Sequence, residues 1–415
     1  MAHAADGDGE FARLADRVAS APDDVSVGAL VAALQRDPPD DPDRAKEAFT
    51  SLAAADPAAV SAAVDALAPL VTDDACGPAA GVALSALANE YPGRAKGAAQ
   101  PLCDLAKAED KVYARKYAFH GLESLAAEHP SALDPAVVPV LRSNLSGDTF
   151  ERKGPALAVT AELARQDPAI VASLSPLLVE QVTIEKEFGT EQEYFEELPD
   201  QLRSQLQEDE VRWMRLRMIA ALTLVEVARV DPDAVVEAAL TLVDRLDEES
   251  NLTVREATYD LVWLVGQERP GAVSAAIEPF AERLRAEADP EIRGKVARAL
   301  GMLADDERAA VVGAVEPAMS VVYEMLDADE PVARAGATGL LSYVAEAEPD
   351  RVEPVASRLQ ELAVDGPTYV RGNAIWSLAY VGGEDAAETL RELADSADDE
   401  DIRALATEAC RRLDS

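Results

Sequence analysis

Aromatic residues are scarce in this chain, 5% of 415 positions, although hydrophobic residues make up 48%. A large central core filled by rings is therefore excluded. The Ala, Leu and Val that supply the apolar content suit closely packed helices better than sheets. Cysteine is nearly absent: Cys76, Cys103 and Cys410 stand alone, with no CxxC pair and no basis for a disulfide framework. They read as small buried hydrophobes in a reducing compartment. Histidine is limited to His3, His120 and His129, and neither an HExxH motif nor any His-Glu step exists. GxGxxG, GxxxxGKS/T and GxSxG are missing too, and with them the phosphate cradles and nucleophile elbows they build. The longest apolar stretch, "MIAALTLVEVARV", is interrupted by Glu226 and is too short to span a bilayer. The N-terminal "MAHAADGDGEFARLADRV" lacks the charged-then-apolar order of a signal peptide. Together these absences predict a soluble, cytoplasmic, non-enzymatic protein with no cofactor, no metal and no membrane contact. On that basis the sequons at Asn144 and Asn251 are chance occurrences.

Lysine is also short. The formal charge is −40, from 78 acidic and 38 basic residues, and only 8 of the basic residues are lysines. Acidity of this kind, spread along the chain with lysine specifically depleted, resembles proteins of salt-in halophiles. Such a surface repels itself in dilute salt and is relieved by screening. An acidic module that attracts basic partners is the rival explanation; the even spread favours the first.

What is present is a period. Pro57, Pro92, Pro130, Pro168, Pro232, Pro270 and Pro349 each follow an apolar helical stretch, at spacings of 35, 38, 38, 64, 38 and 79 residues. The longest spacing is two periods with the proline missing near Ala309. The spacing of 64 is one period of 38 plus an insertion of about 26 residues. A fixed repeat in this range signals a helical array. Arginines mark the same period: Arg115, Arg217, Arg255 and Arg334 each lie 15 residues before their proline, and Arg152 lies 16 before its own. Arg293, Arg371 and Arg403 hold the equivalent place where the proline is absent. Acidic residues precede these arginines and small ones follow, as in "ADEPVARAGATGLLSYVAEAEP" at 328–349. Each unit reads as helix, acidic turn, helix, proline turn, with the aspartates capping second helices. The arginine ladder is predicted to be structural, each planar guanidinium bridging to its neighbour's turn while the small residues let helices approach.

An acidic turn, then "VR" or "AR", then Ala three residues on, resembles the HEAT-repeat superfamily. The last units, "DGPTYVRGNAIWSLAYV" and "DDEDIRALATEACRRL", are similar to its shorter branch, the repeats named after phycobiliprotein lyases. The resemblance covers about ten units over roughly residues 25–415, after a tail and capping helix in 1–24. It implies an all-α fold, a right-handed α-solenoid of helical hairpins, and says little about function. Among relatives with activities, the HEAT-like deoxyhypusine hydroxylases hold iron through His-Glu pairs that this chain lacks. No chromophore residue of the bilin lyases can be matched. The HEAT-like DNA glycosylases are basic, unlike this chain.

Two features stand out. Residues 91–155 carry nine basic and eight acidic groups, +1 in a chain of −40. Lys107, Lys111, Lys116, Arg142 and Lys153 are expected to share the edge where first helix turns into second. The second feature is the insertion at about 184–210, with ten acidic and two basic residues and a hydrophobic stripe of Phe188, Tyr194, Phe195 and Leu198. It reads either as a solvated excursion or as a latch or docking element beside that edge. Trp213, Trp263 and Trp376 read as core packing on second helices, and His120 as a packed or boundary residue. The function expected is a scaffold or adaptor for one or more protein partners. The alternative is a nucleic-acid-associated protein using the basic edge, weakly supported because few aromatics interleave the cations.

Overall fold

The computed structural model describes residues 9–107, 112–184 and 200–413, and every regular element among them is helical. The helices divide into two compact units, Met1–Val230 and Asp231–Ser415. Unit one begins with a single helix, α1 (Glu10–Ser20), and continues as hairpins of an even-numbered first helix and an odd-numbered second helix. These are α2 (Val27–Arg36) with α3 (Asp43–Ala55), α4 (Ala59–Leu67) with α5 (Gly77–Glu90), and α6 (Ala99–Lys107) with α7 (Val112–Glu128). Then come α8 (Val137–Leu145) with α9 (Phe150–Gln166), and α10 (Ser175–Val182) with α11 (Asp200–Ala228). Unit two holds α12 (Val236–Asp244) with α13 (Leu252–Glu268), α14 (Ile277–Ala286) with α15 (Pro290–Val315), and α16 (Met319–Met325) with α17 (Pro331–Ala347). It closes with α18 (Ala356–Asp365) and α19 (Thr368–Val381), then α20 (Glu384–Ser396) and α21 (Glu400–Leu413).

The periodic prolines have one backbone signature. The residue before each is extended, since a following proline ring disfavours the helical region. Asp56, Tyr91, His129, Asp167, Asp231, Arg269 and Glu348 have φ between −130° and −151° and ψ between 52° and 91°. The amides of all but Asp231 still close the last turn, as Tyr91 N to Leu87 O at 2.9 Å and Glu348 N to Val344 O at 2.7 Å show. All but Pro57 of these prolines then open a short 3-10 turn, where a missing amide costs nothing. Pro22 after α1 does the same, so α1 ends as a second helix does and packs on α3. Where the proline is missing, α15 runs on to Val315 through a single kink at Glu307 (φ −110°, ψ 36°).

Within each unit, second helix packs on second helix: α1, α3, α5, α7, α9 and α11 in order, and α13 through α21 likewise. Second helices are buried against two neighbours and their own first helix, so they are apolar around most of their girth. In α5 every residue from Ala79 to Ala88 is buried. Close approach explains the small residues around Arg334. A Cβ on Gly294 of α15 would fall 2.5 Å from Val332 O of α17, and one on Gly336 would run into Gly294 O.

The ladder arginines act differently from the expectation. The guanidinium mostly caps the end of the first helix in its own hairpin, where carbonyls lack partners. Arg217 Nε donates to Val182 O at 2.7 Å, Arg293 Nε to Glu287 O at 3.1 Å and Arg371 Nε to Ala363 O at 3.0 Å. Arg334 Nη1 reaches Asp329 O at 2.9 Å and also Ala328 O, while Arg403 Nη1 reaches Ala397 O. Arg255 caps Glu249 O and Ser250 O, at 3.2 and 3.1 Å, and also crosses to the next hairpin, with Nε 3.3 Å from Glu287 Oε2. Arg115 is buried at the start of α7, and Arg152 lies over the turn at Gly147. The turn aspartates cap their own second helices: Asp289 Oδ1 accepts from Glu291 N at 2.9 Å, and Asp399 Oδ1 from Asp401 N at 2.9 Å.

Hairpin-to-hairpin bridges at these turns come instead from first-helix arginines. Arg283 of α14 donates to Leu246 O and lies 3.6 Å from Asp247 Oδ1. Arg358 of α18 reaches Leu326 O at 3.4 Å and Asp327 Oδ1 at 2.8 Å. A Leu-Asp step in one turn and an arginine on the following first helix are the sequence signal for them.

Candidate functional site

The cations expected to share one edge are not brought together. Lys107 pairs with Asp104, 3.2 Å away on its own helix α6. Arg142 at the end of α8 donates to Ser173 O at 3.1 Å, across to the next hairpin. Lys153 is turned inward: it is 9% exposed, and its Nζ donates to Leu145 O at 3.0 Å and Gln181 Oε1 at 2.7 Å. Burial with two acceptors makes it a rivet between hairpins and removes it from any docking edge. Lys111 lies outside the described residues, as do Phe188, Tyr194, Phe195 and Leu198 of the insertion. The end of that insertion, from Asp200, is helical and forms the start of α11, which is thereby lengthened to 29 residues.

Lys116 is the exception. It lies on the first turns of α7 and faces a groove between second helices rather than the hairpin turns. The groove has a volume of about 300 Å³ and is lined from α3, α5 and α7. Its floor is α5, recessed because its residues there are small: Ser85 and Ala86 are both buried. Ser85 Oγ donates to Tyr117 O, which draws α7 against α5. The Tyr117 hydroxyl reaches over the floor and donates to Asp43 Oδ1 at the start of α3, at 3.1 Å. Lys46 of α3 forms one wall, with Lys116 and His120 of α7 opposite. At the far end Glu90 is exposed, and Asn89 Oδ1 accepts from Ser124 Oγ at 2.7 Å.

The electrostatics are unusual for this chain. Among the described lysines, Lys107, Lys153 and Lys295 are bonded to partners in the fold, whereas Lys46, Lys96 and Lys116 make no ion pair. Two of those three line the groove. The second-helix face of unit two consumes its charges instead. Lys295 Nζ is 2.9 Å from Glu256, Arg298 is 3.3 Å from Asp260, and Arg308 is 2.9 Å from Glu346. Aromatic rings there are also covered by cations: the Arg298 guanidinium sits 4.2 Å from the Trp263 ring centroid, and Arg412 sits 4.1 Å from that of Tyr380. Trp263 and Trp376 are thus half-buried face residues, which corrects the core reading. Trp213 alone is fully core, edge-on to Phe150 with ring centroids 6.0 Å apart.

Other singled-out residues have structural work. Asn144 is buried and donates to Val140 O at 2.9 Å, and Asn251 caps α13 by accepting from Val254 N at 3.1 Å. Burial pushes the Cys103 thiol up to about 12 and the Cys76 thiol up to about 11, the latter helped by Asp73. Among the described residues no group of three or more His, Cys, Asp or Glu is arranged to hold a metal ion. No described helix is long and apolar enough to cross a membrane.

Hairpins stacked second helix on second helix, with a groove on that layer, define an all-α protein of helical-hairpin repeats. Residues 319–411 match the family of HEAT repeats. No curated protein matches the chain in sequence. Among solved structures, it is similar to a chain from a study of a conserved phosphorylation switch controlling the interaction between cadherin and beta-catenin. That likeness has a TM-score of 0.59 at 13% identity and covers 84% of this chain and 67% of the other, showing a shared fold. A designed armadillo repeat protein aligns at 18% identity over 57% of this chain and 99% of its own, with a TM-score of 0.43.

Proposed function

We propose that the protein is a non-catalytic scaffold or adaptor that binds a segment of a partner protein on its second-helix face. The observation that carries this reading is the groove between α3, α5 and α7, whose wall lysines are left without ion pairs in a chain of net charge −40. Repeat proteins present extended surfaces of this sort, and the fold itself is typical of interaction scaffolds. In this reading residues 25–415 form the repeat array and residues 1–24 its tail and cap. A nucleic-acid role through a basic edge loses support, because Lys107 is paired, Arg142 is bonded to a carbonyl and Lys153 is buried. The chain is assigned to the cytoplasm of a salt-in halophile on the strength of its acidity and its 8 lysines among 38 basic residues.

Affinity capture of the tagged full chain from a high-salt native lysate, with and without nuclease, tests the reading. A stoichiometric protein partner that survives nuclease supports it. Recovery that collapses with nuclease overturns it in favour of nucleic acid.

A further inference from the structure

We infer that the groove between α3, α5 and α7 is a receptor for an extended peptide segment bearing acidic side chains, with Lys46 and Lys116 as its two carboxylate-binding walls. This names the partner chemistry of the site proposed above and rests on that reading.

Charge is the first argument. With 78 acidic and 38 basic residues, a lysine of this chain has carboxylates available in excess, and Lys295 pairs with both Glu256 and Asp260. Lys46 and Lys116 stay unpaired on opposite walls of one recess, with His120 beside Lys116. The nearest eligible carboxylate on α3, Asp43, is three residues from Lys46 and is held by the Tyr117 hydroxyl. Asp43 Oδ1 is thereby committed to Tyr117, and Asp43 makes no ion pair with Lys46.

Shape is the second. A volume of about 300 Å³ over a floor of Ser85 and Ala86 admits two or three side chains of a segment lying across α5, not a folded surface. Asn89, whose Oδ1 is taken by Ser124, has its side-chain N–H groups left to donate to a peptide carbonyl at the groove's end. Glu90 at that end repels a carboxylate, so the acidic side chains of the ligand belong beside the lysines.

A nucleic-acid strand fits poorly. It carries a phosphate at every step and needs cations along its length. Here the free cations are two lysines, and acidic surface resumes at Glu90. A peptide with one or two carboxylates is satisfied by them.

The test probes an array of random 15-residue peptides with the labelled full chain and with Lys46→Glu/Lys116→Glu, in 0.5 M KCl to screen the acidic surface. A fluorescein-labelled (Glu-Ala)6 peptide and a twelve-nucleotide poly-dT strand are measured in parallel by anisotropy. Circular dichroism checks the fold, and Lys46→Gln/Lys116→Gln replaces the double reversal if that variant unfolds. We expect the wild type to select acidic peptides and bind (Glu-Ala)6 despite its own negative charge, with affinity reduced about tenfold or more by the reversal. Selection of neutral or basic peptides, or acidic binding that the reversal leaves unchanged, overturns the inference while the scaffold reading stands. If no peptide is selected, or poly-dT binds and is lost in the variant, both fall.

Discussion

The Tyr117 hydroxyl donates to Asp43 Oδ1 at 3.1 Å, so a residue of one hairpin is tied to a helix two hairpins earlier, across the whole width of α5. The tie does two things at once. It fixes the spacing of α3 and α7, and it occupies the carboxylate that is the i, i+3 neighbour of Lys46.

Tyr117→Phe is therefore expected to cost about 1 kcal/mol, the ordinary worth of one hydrogen bond. Asp43 then loses its tyrosine donor three residues from Lys46, and (Glu-Ala)6 binding is expected to weaken in the same variant. Urea unfolding and peptide anisotropy read the two effects separately.

Glycine content makes a second contrast. Gly336→Ala places a methyl against Gly294 O, a backbone atom that cannot swing away, and is expected to destabilise by about 1–3 kcal/mol. Gly313→Ala in α15 meets nothing within 4 Å and should stabilise by about 0.4–1 kcal/mol through the unfolded chain. Thermal denaturation of the two variants should move in opposite directions.

Lys153→Ala strands Leu145 O and Gln181 Oε1 in a buried site. The expected loss is about 2–4 kcal/mol, far above that of an exposed lysine such as Lys96, for which a change within about 0.5 kcal/mol is expected. Denaturant titration of both alanine variants checks it.

The thiols give a pH dependence. Cys76 and Cys103 are raised from 9.0 to about 11 and about 12, chiefly by burial of the charged form. Their neutral forms stabilise the native state fully below about pH 9. That contribution is lost as pH rises through the folded values, because the unfolded thiols ionise first. At pH 8, iodoacetamide should label Cys410 well before Cys76 and Cys103, as mass spectrometry of the peptides would report.

Salt should stabilise the chain. Self-repulsion from a net charge of −40 is screened as the Debye length falls to about 3 Å at 1 M. The melting temperature is expected to climb from low salt to about 1 M KCl and then level off, where screening is nearly complete. A flat profile would show that the charge is not a stability term.

Repeat architecture was legible because prolines and arginines recur at a fixed interval, and each imposes a local geometry. Pro92 disfavours the helical region at Tyr91, so the turn is favoured by the residue itself. Guanidinium partners were not legible in the same way. Arg334 and Arg403 bond main-chain carbonyls, which every residue possesses and no sequence advertises. Even the bridging role assigned to the ladder belongs largely to Arg283 and Arg358, whose register with Leu246 and Leu326 depends on how first helices stack. The groove was hidden for a related reason. Lys46, Ser85 and Lys116 come from three hairpins, and only the rotation of α7 about its axis decides that Lys116 joins Lys46 while Lys153, at the start of the next second helix, points inward. The basic stretch 91–155 contains Lys116 but not Lys46, its counterpart across the groove.

The capping arginine has an evolutionary corollary. Because Arg293, Arg371 and Arg403 close the first helix of the hairpin to which they belong, such a hairpin carries its own terminator. A tandem duplication that copies one such segment inserts a finished part, complete with its Leu-Asp socket where one exists, and leaves the caps on either side untouched. Length can then drift by whole hairpins under weak selection, while the seams between second helices, where Gly294 faces Gly336, set which copies will seat.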